Sequence, residues 1–226
     1  MLDLTILMPC LNEEVTVGIC IDEAFQFIRN RGLSAEVLIV DNGSEDQSAK
    51  IAADHGARVI HEPRRGYGRA LRTGLAAAEG KIIILGDSDT TYDFLHLDPI
   101  YDPLAGGEAD FMMGDRFAGL MEDDAMSLSH RLGVPFLSWC GRMKFGVNIH
   151  DFHSGIRGLT RDALHQMELR TDGMEFATEM IAEASRKGLR IGQTAVPLKR
   201  SVDENRKPKI RTVRDGLRHL WYILRA

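Results

Sequence analysis

Cysteine is scarce in this 226-residue chain: Cys10, Cys20 and Cys140 are odd in number and far apart, which excludes a disulfide framework and a cysteine zinc site and predicts reduced, mostly buried thiols. The eight histidines are scattered without zinc-finger spacing. No apolar run approaches the roughly twenty residues that cross a bilayer, so the chain is not expected to span a membrane. The start, Met1 to Met8, has neither the basic opening nor the cleavage site of a secretory signal, and a cytoplasmic location is expected. Repeats and low-complexity segments are absent. A formal net charge of -5 gives no general attraction to nucleic acid. With 44% hydrophobic and 27% charged residues, the composition is that of a soluble globular protein with a sizeable core.

Short apolar runs punctuated by turn residues organise the first half. Leu2 to Met8 and Glu36 to Val40 read as strands, and between them Val15, Ile19, Ala24, Phe25 and Ile28 recur at helical steps as a buried stripe. A helix over about 47–55, a strand at 58–61, a helix over 69–78 and a strand at 81–85 continue the alternation. Such repeats predict a mostly parallel sheet with right-handed crossovers, whose ligands lie beyond the carboxyl ends of the strands. Beyond Pro99 the pattern loosens: strands are expected at 111–114, 154–159 and 191–197, and helices at 132–145 and 174–187. One main domain over residues 1–198, divided near 98, precedes a basic segment and an amphipathic end carrying Leu217, Leu220, Trp221 and Leu224.

Chemistry concentrates after the strands. Asp87-Ser88-Asp89 follows the apolar run Ile82 to Gly86, so two carboxylates emerge where a buried strand opens. Their repulsion is relieved by a shared hard cation such as Mg²⁺ or Mn²⁺, although a solvated turn or helix cap also favours these residues. Gly66-Tyr67-Gly68 looks like the start of a dinucleotide fingerprint, but it follows the third strand and lacks the last glycine.

Pro9-Cys10-Leu11-Asn12-Glu13-Glu14, Val40-Asp41-Asn42-Gly43-Ser44 and Asp87-Ser88-Asp89 stand in the order and spacing of family 2 glycosyltransferases. Gly114-Asp115-Arg116, Asp151-Phe152-His153-Ser154-Gly155-Ile156-Arg157 and Met174-Glu175-Phe176 extend the likeness, which resembles the polyprenyl-phosphate (dolichol-phosphate) mannose and glucose synthase branch over about residues 3–210. The resemblance implies an α/β GT-A-type fold, with a nucleotide-binding half at 1–98 and an acceptor half at 99–198. It implies a metal-dependent inverting transferase that moves a hexose from a UDP- or GDP-sugar to polyprenyl phosphate. The alternatives are a soluble hydroxyl acceptor (a glycoside, cyclitol or natural-product intermediate) and a non-catalytic nucleotide-sugar-binding protein.

By position, the resemblance places Pro9, Leu11 and Glu13 at the base and ribose, Asp41 at the base edge, and Asp87 and Ser88 beside the nucleotide. Asp89 is the implied principal metal ligand, assisted by Asp87. Thr91 stands where many synthase relatives carry Gln, which leaves water or His153 for the third position. Arg116 and Arg131 match phosphate-binding arginines. Arg206 and Lys209 lie in a basic segment similar to a loop that closes over the diphosphate, without its usual Gly-Ser-Lys pattern. A hydroxyl acceptor needs a base, for which Asp151 and Glu175 are candidates; a lipid phosphate is already ionised and needs none. Trp221, Tyr222 and the flanking arginines suit either an anionic membrane surface or an ordinary packed helix.

Overall fold

A computed structural model describes residues 1–203 and 212–226 of the chain. Arg206 and Lys209 lie outside the described residues. The chain runs β1 (Leu2–Cys10), α1 (Val17–Arg31), β2 (Ala35–Asp41), α2 (Ser48–Asp54), β3 (Arg58–His61), α3 (Tyr67–Ala77), β4 (Gly80–Leu85) and α4 (Asp98–Ala105). It continues through β5 (Phe111–Asp115), α5 (Leu128–Phe145), β6 (Arg157–Thr160), α6 (Arg161–Gln166), α7 (Phe176–Arg186), β7 (Ile191–Ala195) and α8 (Thr212–Arg225).

One seven-stranded sheet, ordered β3-β2-β1-β4-β6-β5-β7, spans both halves. Only β6 runs against the others, pairing antiparallel with β4 and β5. Alternation along the central strands feeds two cores: Leu4, Ile6 and Met8 of β1 pack with α1 and α4 on one face, while Leu7 joins α3 and α7 on the other. Because β1, β2 and β4 are parallel neighbours, residues 9–14, 41–44 and 86–91 emerge together at one edge.

Two differences from the sequence reading have physical causes. Val15 and Ile19 are 55% and 43% exposed; the stripe that buries α1 is Val17, Cys20, Ile21, Ala24, Phe27 and Ile28. Both sets have helical spacing, and the sheet selects the one completed by small residues. The strand expected from Ser154 begins only at Arg157, because residues 151–156 are a polar loop buried through hydrogen bonds rather than a ladder. In α8, whose facing the sequence left open, Leu217, Trp221 and Leu224 are exposed, Leu220 is half-buried, and Asp215, His219 and Ile223 are buried.

Candidate active site

The carboxyl ends of β1, β2 and β4 are tied to one another by hydroxyls. Ser88 Oγ donates to the Pro9 carbonyl at 2.9 Å, and Thr16 Oγ1 donates to the Ser88 carbonyl at 2.8 Å and to Glu13 Oε2 at 3.2 Å. Ser48, entering α2, accepts from the Glu13 N–H at 2.7 Å. Glu13, Ser88 and Asp89 are buried, whereas Pro9, Leu11 and Asp87 are partly open to solvent. Asp41 accepts from the Ser44 N–H at 3.1 Å and contacts His61 Nδ1 at 3.1 Å. Burial pushes this carboxyl up, but the Ser44 and His61 hydrogen bonds outweigh it and hold Asp41 below its usual range.

Asp89 accepts from the backbone N–H of Thr91 at 3.1 Å and from its hydroxyl, so the residue standing in place of the usual Gln braces the carboxylate. Asp87 accepts from the Tyr67 hydroxyl at 3.3 Å and lies against Gly155, where a Cβ would collide with its Oδ2. Glycine at 155 therefore lets the Asp151–Arg157 loop approach the acidic pair. Two carboxylates are an oxygen donor set suited to Mg²⁺ or Mn²⁺. Among the described residues no group of three His, Cys, Asp or Glu side chains converges on a metal position.

His153 meets the ring of His219 edge-on, with centroids 4.2 Å apart, and among the described residues neither of its nitrogens has a hydrogen-bond partner. Burial first, then the neighbouring His219, Arg116 and Arg157, drives its pKa well down, so the ring is neutral. His219 pairs with the Thr178 hydroxyl through Nδ1 at 2.8 Å and is pushed down to about 4 by burial, with Arg157 and Arg218 adding to it.

Asp151 is 0% exposed and accepts from Arg116 Nε at 2.6 Å, Nη2 at 2.9 Å and the backbone N–H at 3.2 Å. The His153 N–H adds a further bond at 3.1 Å. A guanidinium fork spent on this carboxylate has little left for phosphate. Burial lowers the Arg116 pKa, but Tyr92 and Asp151 more than reverse this and the net shift is upward. Arg131 is exposed on the first turn of α5. Glu175 caps α7 with its backbone; its Oε2 lies 3.6 Å from Arg218 Nε, within Coulombic reach but too far for a hydrogen bond.

Three residues of this cluster escaped sequence reasoning. Arg157 is only 1% exposed and donates to the carbonyls of Ser154 and Ala177, placing a buried cation behind Asp87 and Asp151. Tyr92 accepts from the Gly155 N–H at 2.7 Å. Tyr67 opens α3 at the same sheet edge, and its position directly after β3 was the available signal in the discounted Gly-Tyr-Gly motif. Cys10 and Cys20 are buried, and burial raises the Cys10 thiol to about 11, while Cys140 is partly buried.

The family model described as "Glycosyl transferase family 2" matches residues 5–167. Among curated proteins, the low-salt glycan biosynthesis hexosyltransferase Agl6 of Haloferax volcanii is 34% identical over 222 residues, covering 98% of this chain and 53% of that protein. The chain thus spans about half of that relative's length. The dolichyl-phosphate hexose transferase of the same organism is 28% identical, covering 90% of this chain and 86% of its own. Glucosyl-3-phosphoglycerate synthase from Mycobacterium tuberculosis, solved with phosphoglyceric acid, superposes with a TM-score of 0.79 at 23% identity over 99% of this chain and 79% of that one. Its complex with Mn²⁺ and UDP-glucose gives a TM-score of 0.76 at 23% identity, over 99% and 78% of the two chains. The fold is of the GT-A type.

Proposed function

Because the chain belongs to glycosyl transferase family 2, we propose that it moves a hexose from a UDP- or GDP-sugar to polyprenyl phosphate, using a divalent cation at Asp87 and Asp89. The observation that carries the reading is the convergence of Glu13, Asp41, Asp87 and Asp89 from three strand ends, tied by Ser88, Thr16 and Ser48. Glu13 offers its carboxylate to ribose hydroxyls, and Asp41, kept ionised by Ser44 and His61, accepts from a ring imide N–H, which uracil and guanine both possess. When bound, Mg²⁺ or Mn²⁺ supplies positive charge beside the leaving diphosphate. The acceptor oxygen attacks the anomeric carbon from the face opposite the leaving group. The bond to the diphosphate breaks, and its electron pair leaves with the nucleotide.

A phosphate acceptor arrives ionised, and no side chain need remove a proton. Asp151 then acts as the counter-ion that orients Arg116. Arg131 and Arg218, both exposed, can meet an acceptor phosphate. The likeness to a dolichyl-phosphate hexose transferase over most of both chains supports this acceptor.

Transfer to a soluble acceptor is the second reading, favoured by the overlap with a synthase solved with phosphoglyceric acid. There Glu175, whose Oε2 has no hydrogen-bond donor among the described residues, is the candidate base. Radiolabelled UDP- and GDP-hexoses, offered with Mn²⁺ to polyprenyl phosphate and to small phosphorylated or hydroxylated acceptors, separate the two. Label in the lipid fraction, abolished by a chelator, is expected. Label confined to soluble products selects the second reading, and donor binding without turnover selects a sensor.

A further inference from the structure

Large apolar side chains line the outer face of α5. Leu128, Leu132, Phe136, Trp139 and Met143 follow one another at steps of three and four, and Trp139 is 53% exposed. Helix α8, which packs against α5, adds Leu217, Trp221 and Leu224, with Trp221 56% exposed. Helix α8 turns Asp215 and His219 inward beside Ile223, and Leu217, Trp221 and Leu224 outward. Water disfavours such a contiguous apolar surface, and covering it recovers that free energy.

Charge selects what covers it. The two helices carry Arg131, Arg142, Lys144, Arg214, Arg218 and Arg225, while their sole carboxylate, Asp215, is buried, in a chain whose net charge is -5. The exposed acids Asp123 and Asp124 stop four residues short of α5. An isologous dimer would set this cationic face against itself. An anionic bilayer offers both complements, acyl chains for the leucines and headgroup charge for the arginines. The chain's only two tryptophans, Trp139 and Trp221, both lie on this face, and indole rings favour the headgroup boundary. The guanidinium of Arg225 covers the Trp221 ring at 4.2 Å, a cation held at the edge of the apolar surface.

We propose that the outer face of α5 and α8 together docks on the interface of an anionic membrane. The same helices border the site: Ser138 of α5 accepts from the Phe152 N–H at 3.1 Å, and His219 of α8 meets His153. Docking therefore brings the Asp151–Arg157 loop to the lipid headgroups. This deepens the polyprenyl-phosphate reading without depending on it, since a peripheral enzyme can also serve a soluble acceptor.

The test is sedimentation of the chain with vesicles of phosphatidylcholine alone and with one-third phosphatidylglycerol, with tryptophan emission followed in parallel. Partitioning into the anionic vesicles is expected, with a blue shift and a loss of binding as salt rises. The double variant Leu132→Glu/Trp139→Glu should bind at least tenfold more weakly while keeping its circular dichroism and its affinity for UDP or GDP. Failure of the wild type to bind anionic vesicles, equal binding to neutral ones, equal binding by the variant, or a dimer that the variant dissolves would each overturn the proposal. Wild-type binding without label transfer to polyprenyl phosphate leaves the docking surface standing and removes the lipid-acceptor reading instead.

Discussion

The two halves of the chain meet at the site with opposite charge. The first half brings Glu13, Asp41, Asp87 and Asp89 on short loops, held by partners that include hydroxyls and backbone N–H groups. Such donors position a carboxylate without cancelling its charge. The second half brings Arg116 and Arg157 with the neutral histidines 153 and 219, and it resolves its own charge internally through the Arg116–Asp151 pair. One side is thus arranged to attract a cation, while the other is arranged to stay rigid. Substitutions on the first side should act on turnover and those on the second on stability.

Asp89→Ala tests this contrast most severely. On the proposed reading Asp89 holds the cation beside the leaving group, and its removal should cost several kcal/mol of transition-state stabilisation, about a thousandfold or more in metal-dependent nucleotide release. The melting temperature should move little, because the partners left behind, the Thr91 N–H and hydroxyl, lie close enough to solvent to be rehydrated. Unaltered turnover in Mn²⁺ would remove the carboxylate from the chemistry.

On the second side, Arg116→Ala strands Asp151 as an uncompensated buried charge and should destabilise the fold by about 3–5 kcal/mol. The double variant Arg116→Ala/Asp151→Ala should recover much of that loss, since neither charge then remains. Urea unfolding of the four proteins completes the cycle. Additive losses would show that the pair does not act as a unit.

Acid should find the same side. His219 titrates near 4 in the folded chain and near 6.5 when unfolded, so between those values the unfolded state binds the extra proton and stability falls as pH falls. The full window amounts to about 3 kcal/mol, and the depressed His153 acts in the same direction. Above pH 7 both rings are neutral in either state and the contribution is constant. Unfolding followed from pH 7 to 4 should show this slope, shallower in His219→Gln. An identical slope would place the sensitivity elsewhere.

The same division governs what the sequence revealed. In the first half the strands are apolar runs bounded by turn residues, which marked β1 to β4 to within two residues, and Asp87 and Asp89 followed from where β4 ends. Arg157 and Tyr92 were illegible because their roles come from contacts across the chain: Arg157 reaches Ala177, and Tyr92 reaches Gly155. Periodicity identified α8 as amphipathic but not which way its apolar side faces, a direction set by His219 against Thr178 and His153. The pairing of Asp151 with Arg116 was equally invisible, since 35 residues separate them.

Two tyrosines at the seam offer the finest test. Tyr67 comes from the first half and donates to Asp87; Tyr92 accepts from the Gly155 N–H of the second half's loop. Burial, with the charge of Asp87 adding to it, raises the Tyr67 phenol well above its usual range, so it remains a donor at working pH. Tyr67→Phe removes one hydrogen bond to a partly open carboxylate, worth about 1.5 kcal/mol, and should slow turnover about tenfold with little change in melting temperature. Tyr92→Phe leaves a buried N–H unpaired and should instead cost about 1–3 kcal/mol of stability. If the Tyr67 variant lost stability while keeping turnover, Asp87 would belong with the rigid side of the seam, and Asp89 would be the sole carboxylate positioned for the cation.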